Sequence, residues 1–181
     1  MKMMGVQIDE ITRAEARVAL KKSQIIFTPN PEILLEARKN ENFKEALKAG
    51  TLMLPDGHGL LLVSTLLQIK SKFIRALLYL PSLLLFVIWK RPFKNVFPEI
   101  IHGSDFMMDL IEWSEDNKKT VFFLGGKTGV AKKTAETFKK MYPRLMIAGA
   151  SNEDPSEAAF EKVKESGAEV LFVAYGAPKQ E

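Results

Sequence analysis

Residues 55–59, Pro55-Asp56-Gly57-His58-Gly59, set a carboxylate and an imidazole in a tight glycine turn between two apolar runs. Pro-Asp-Gly is a common turn, and Asp56 reads first as a turn former or helix cap. A carboxylate held on a sharp turn can also take a proton from a substrate hydroxyl, which is the work of a general base. His58 reads as a turn or supporting residue. Three further stretches have the makings of a binding surface: Thr28-Pro29-Asn30, Gly125-Gly126-Lys127, and the closing Gly176-Ala177-Pro178-Lys179-Gln180-Glu181. Glycines between a strand and a helix let a phosphate or sugar approach backbone N–H groups at a helix N-terminus. The spacing at 125–129 is Gly-Gly-x-x-Gly, not the dinucleotide pattern Gly-x-Gly-x-x-Gly.

These residues need elements to position them. Residues 10–22 carry helical spacing, and "QIIFTPN" reads as a strand running into a loop. "PEILLEARKNENFKEALKAG" reads as one helix or two short ones, with Pro31 in the first turn and Gly50 at the end. "TLML" is a brief strand before the Asp56 turn. "SDFMMDLIEWSEDNK" is an amphipathic helix with Ser104 as candidate N-cap. Strand–loop–helix units then repeat: "TVFFLGG", "KTGVAKKTAETFKKMYP", "LMIAGA", "DPSEAAFEKVKESG" and "AEVLFVAYGAPKQE". Short connections of this kind predict an α/β fold, Rossmann-like, with a mostly parallel sheet flanked by helices. Ligands in such sheets sit beyond the carboxyl ends of the strands, where the candidate stretches fall. The chain of 181 residues is most simply one domain. It stops on a fresh loop, so the C-terminal end of the domain is expected to be missing.

Bulk chemistry narrows the function. There is no cysteine, which excludes disulfides and thiolate chemistry. Two histidines without clustered ligands argue against structural zinc. The net charge of +4 is uneven: Gly57 to Pro98 has no Asp or Glu but holds Lys70, Lys72, Arg75, Lys90, Arg91 and Lys94. That segment carries +6 and the rest −2, which argues against a generally basic nucleic-acid binder. No Asp-x-Asp pair occurs, the pair metal-dependent glycosyltransferases usually use for a nucleotide diphosphate. Any such charge would fall to N–H groups and to lysines such as Lys127 or Lys179.

Within the basic segment, Ala76 to Trp89 is uncharged for fourteen residues. As a helix it is about 21 Å long, short of the roughly 30 Å hydrocarbon core. Cations on both sides, with Tyr79 and Trp89 near the ends, suit an in-plane helix or a shallow hairpin bent at Pro81 against anionic lipid. The expectation is a membrane-contacting insertion at about 66–97, with Phe73–Trp89 as its apolar part. A buried helix or a homo-oligomer interface is the alternative.

In order, "TPNPE" (28–32), "PDGHG" (55–59), "GSD" (103–105), "FFLGG" (122–126), "YP" (142–143) and "GAPKQE" (176–181) resemble the WecG/TagA/CpsF glycosyltransferases. The resemblance covers nearly the whole chain. It implies an inverting glycosyltransferase with no metal and no cofactor. The sugar, N-acetylmannosamine or a similar one, moves from a UDP donor to polyprenyl-diphosphate-linked N-acetylglucosamine. The products are cell-surface polysaccharides such as wall teichoic acid, and the enzyme is peripheral on the cytoplasmic face of the membrane. Asp56 is implied as catalytic base, with Thr28 in the same pocket. Asn30, Gly57, His58, Gly125, Gly126, Lys127, Ala177, Pro178, Lys179, Gln180 and Glu181 are the implied substrate-binding residues. The family usually reads Pro-Glu-Arg before Gly-x-Asp. Here Ile100 stands in place of the arginine, and His102 is a nearby candidate for part of its role. The linker before Gly-Ser-Asp is also longer than usual. Two rivals remain at this level: a non-catalytic membrane-surface or oligomerising module, and a nicotinamide-dependent oxidoreductase, which the glycine spacing disfavours.

Overall fold

A computed structural model of the chain describes residues 1–89 and 96–180. Lys90, Arg91, Lys94 and Glu181 lie outside the described residues. The chain divides into two compact units, Met1–Phe106 and Met107–Glu181. Each is α/β, and the β3–β4 pair and the three-stranded sheet are both parallel.

The first unit opens with a small antiparallel hairpin, β1 (Lys2–Met3) and β2 (Val6–Gln7), turned by Met4 and Gly5 at positive φ. Helix α1 (Arg13–Ala19) starts at a capping box, in which Thr12 and Glu15 satisfy each other's backbone N–H groups. Strands β3 (Ile26–Phe27) and β4 (Leu52–Met53) pair in parallel. Between them run α2 (Pro31–Lys39) and α3 (Glu41–Leu47). Asn40 ends α2 and caps α3, its Oδ1 accepting from Phe43 N–H, so the stretch is two short helices. Helix α4 (Gly59–Leu67) is apolar nearly all round and is buried at Leu60, Leu61, Leu62 and Leu66. It fills a core that includes Met3, Ile8, Leu34, Phe43 and Phe97. Helix α5 (Lys72–Ile88) follows and is continuous through Pro81, so the segment is one helix and not a hairpin.

Helix α6 (Gly103–Asp116) starts in the first unit and continues into the second. It begins two residues earlier than an N-cap at Ser104 would place it. His102 holds the cap position, its carbonyl accepting from Asp105 and Phe106 N–H, and Ser104 lies inside the first turn.

The second unit is built on β5 (Thr120–Gly125), the central strand of a sheet ordered β6-β5-β7, with β6 at Met146–Ser151 and β7 at Val170–Ala174. Helices α7 (Val130–Met141) and α8 (Glu157–Glu165) form the crossovers. Phe123 stacks on Phe138 of α7 at 5.7 Å and on Phe172 of β7 at 5.3 Å between ring centroids. On the other face Phe122 lies over Gly149, where β6 carries one extra residue, Ala148, against the Val121–Phe122 step.

A Cβ on Gly149 would stand 2.5 Å from Phe122 Cε2. Gly149→Val is therefore expected to cost about 1–3 kcal/mol of stability by overpacking. Urea denaturation followed by circular dichroism measures it, and an unchanged midpoint would show that Phe122 can move aside.

Candidate functional site

The parallel pairing of β3 with β4 brings two candidate stretches side by side. Leu54 N–H donates to Phe27 O at 2.9 Å, and Asp56 N–H to Pro29 O at 3.1 Å. The ladder thus runs past the strand ends and sets Thr28 and Asp56 beyond the carboxyl ends of adjacent strands. A third segment joins through Ile101 N–H, which donates to Pro55 O at 2.9 Å. This delivers His102 and Gly103 to the Asp56 carboxylate.

His102 Nδ1 is 2.9 Å from Asp56 Oδ1. A carboxylate only accepts, so the ring nitrogen carries the hydrogen. Asp56 Oδ2 faces Gly103 N–H at 3.5 Å, over the N-terminus of α6, where the aligned peptide dipoles of the helix give a partial positive charge. The imidazole is the more open partner: 41% of its side chain is exposed against 25% of that of Asp56. Thr28 packs on the same glycine, since a Cβ on Gly103 would meet Thr28 Oγ1 at 2.9 Å. Asp56, Thr28, His102 and Gly103 therefore form one cluster.

Gly57 takes φ +85°, and Gly59 approaches Pro31 so closely that a Cβ would lie 2.9 Å from its ring. Both glycines are needed where α4 starts beside α2. His58 is exposed, with its ring centroid 5.5 Å from that of His102. Asn30 Oδ1 accepts from Ile33 N–H at 2.9 Å, so this side chain caps α2. Ile100, where the family pattern has arginine, packs against the apolar core.

The second unit gathers the remaining candidates beyond β5, β6 and β7. Gly125 and Gly126 have φ +99° and +77°. A Cβ on Gly125 would come within 2.9 Å of the Ala174 backbone, so the close approach of these strands depends on its absence. Lys127 is exposed. The loop is held by Asn152, just past β6. Its Nδ2 donates to the carbonyls of Gly125 at 2.6 Å and Lys127 at 2.8 Å, and its Oδ1 accepts from Gly129 N–H at 3.1 Å. Gly126 N–H donates to Ala174 O at 2.8 Å. Those two loop N–H groups serve the fold. In the closing stretch Gln180 Oε1 accepts from Gly176 N–H at 3.0 Å, while Ala177, Pro178 and Lys179 are exposed.

Two features of the candidate sites escape sequence reasoning, the Asn152 clamp and the direct pairing of His102 with Asp56. An asparagine directly after a strand and opposite a glycine pair is the only signal for the first. The second is 46 residues away in sequence, and nothing local announces it.

A family model described as "Glycosyl transferase WecG/TagA/CpsF family" matches residues 1–85 and 73–181. Among curated proteins, an N-acetylglucosaminyldiphosphoundecaprenol N-acetyl-beta-D-mannosaminyltransferase of Bacillus spizizenii is 31% identical over 163 residues, 88% of this chain and 53% of the relative. A protein of the same name from Bacillus subtilis strain 168 is 27% identical over 164 residues, 89% of this chain and 54% of the relative. The chain thus spans about half the length of the curated relatives it matches.

Asn152→Ala removes the clamp on the glycine loop. The Gly129 amide is expected to exchange with solvent at least about tenfold faster, while amides at the centre of β5 keep their protection. Hydrogen exchange by mass spectrometry or NMR reads this directly, and an unaltered Gly129 rate would mean that the loop holds without Asn152.

Proposed function

The chain belongs to the WecG/TagA/CpsF glycosyltransferase family, and on that premise we propose that it transfers N-acetylmannosamine, or a similar sugar, from a UDP donor to polyprenyl-diphosphate-linked N-acetylglucosamine. The transfer is inverting and metal-independent, it serves cell-surface polysaccharide synthesis, and the protein works at the inner face of the cell membrane. The observation that carries this reading is the cluster of Asp56, Thr28, His102 and Gly103 beyond the carboxyl ends of β3 and β4.

In this reading the acceptor hydroxyl oxygen attacks the anomeric carbon of the donor. Its proton passes to the Asp56 carboxylate, and the bond from the anomeric carbon to the diphosphate oxygen breaks on the opposite face. UDP leaves with the electron pair. His102 is a positioning residue: its Nδ1–H fixes the carboxylate orientation and leaves Oδ2 toward α6. Thr28 is placed to orient the acceptor. In the second unit, Lys127 and Lys179 are exposed, and in this reading they offset the charge of a diphosphate, a charge that otherwise calls for a metal. Gly125, Gly126 and the 177–181 stretch stay with them as proposed substrate-binding residues, and Asn30, Gly57 and His58 with Asp56.

The test is transfer from UDP-N-acetylmannosamine to a short-chain lipid-diphosphate-N-acetylglucosamine acceptor in the presence of EDTA. Transfer is expected to survive EDTA. Asp56→Asn is expected to lower turnover by about 10²–10⁴-fold with an unchanged melting temperature. His102→Ala should lower it less, because the proton acceptor stays in place. Full turnover in Asp56→Asn would remove Asp56 from the mechanism. Loss in EDTA would overturn metal independence, and absence of both transfer and UDP binding would overturn the reading.

A further inference from the structure

Helix α5 is long, apolar and almost uncovered. Eleven of the twenty exposed large apolar side chains among the described residues lie between Phe73 and Trp89. No residue of α5 is buried. Arg75, Ser82, Leu83 and Phe86 form a half-buried stripe, spaced as one helix face, and Leu83 and Phe86 pack on the core of the first unit. Arg75 also donates from Nε and Nη2 to Ile69 O, at 3.2 and 2.6 Å, which pins the start of the helix. The helix is therefore tethered along one edge, with the rest of its circumference facing outward. The two matched pieces of the family pattern, 1–85 and 73–181, meet inside it.

We propose that the outward face of α5 docks on the surface of an anionic lipid bilayer and lies in its plane. Three observations select this occupant. The first is charge: Lys70 and Lys72 are exposed at one end, Lys90, Arg91 and Lys94 follow the other in sequence, and no acidic residue occurs from Gly57 to Pro98. Such flanks attract anionic headgroups and repel a basic partner. The second is length. Seventeen residues span about 26 Å, less than the roughly 30 Å of bilayer hydrocarbon, and no helix among the described residues is long and apolar enough to cross a membrane. The third is the width of the apolar face. Phe73, Leu77, Leu80, Leu84 and Val87 repeat at the spacing of a coiled-coil seam. A seam for a second copy, however, is bordered by charged residues that set its partner. Here the bordering positions are apolar too, from Ala76 to Trp89 without a charge. A face with no polar border suits a continuous apolar solvent better than one partner helix. Tyr79 and Trp89, both exposed, suit the headgroup boundary.

The experiment mixes the chain with vesicles of phosphatidylcholine alone or with one third phosphatidylglycerol, and measures co-sedimentation. Binding to the anionic vesicles is expected to be at least about tenfold tighter, and to weaken when salt is raised to 1 M. Leu77→Glu with Leu84→Glu, at positions 65% and 60% exposed, should lower binding at least about tenfold while the melting temperature holds. Equal binding by this variant, or no binding by the parent chain, overturns the proposal. A parent chain that is oligomeric, fails to bind vesicles and is split by the double substitution would give the face to a second copy instead. Should the double variant not fold, quenching of Trp89 by brominated phosphatidylglycerol in a Trp113→Phe background tests the same face. Strong quenching supports lipid contact, and its absence overturns it. Binding is read without sugar transfer, so this result and that of the transfer assay fail separately.

Discussion

Two backbone hydrogen bonds past the ends of β3 and β4 hold the first unit's site together. Leu54 N–H to Phe27 O and Asp56 N–H to Pro29 O continue a two-residue ladder into what would otherwise be two independent loops. Because the strands are parallel, both loops leave on the same side, and Thr28 comes to lie beside the Asp56 turn. Everything chemical in this unit follows from that register. A one-residue slip would turn Asp56 to the other face of the pair. The bond from Ile101 N–H to Pro55 O then extends the arrangement to a third strand of chain, and the start of α6 arrives with His102 at its cap.

The two ends of this constraint have opposite physics. At the site, polar groups are held by polar groups: a carboxylate by an imidazole N–H, and a threonine against a glycine. At α5 the chain leaves an apolar surface to solvent, an arrangement that folding alone does not favour. Helix α4 shows what the same composition does when it has a partner. It is at least as apolar as α5, and most of its leucines are buried. The contrast between neighbours separates a helix buried in the core from one left largely exposed.

Much of this could be read from the sequence, and the exceptions have physical causes. The alternation from Thr120 onward is legible because apolar strands and helical spacing agree, and Ser156 caps α8, although α7 starts at Gly129 with no side-chain cap. The hairpin of β1 and β2 is not, because two-residue strands carry no periodicity and their turn uses Met4 at positive φ, where glycine or asparagine would be the sign. α6 starts early because His102, not Ser104, takes the cap position, drawn there by its bond to Asp56. Asn30 illustrates a limit of residue type: the same amide that suits a substrate also suits a helix end, and it holds Ile33 N–H. The Asp56 turn stood out in sequence, but its histidine partner is a matter of tertiary packing.

The clamp of Asn152 on the glycine loop bears on the thermodynamics of whatever meets that loop. Three consecutive positions, Gly125, Gly126 and Lys127, two of them glycine, would ordinarily lose a great deal of freedom when a ligand fixes them. With their carbonyls already bound by one amide, that freedom has been given up at folding. A ligand that met this loop would then lose little ordering entropy there, and would face a rigid backbone outline instead of one that adjusts to each newcomer.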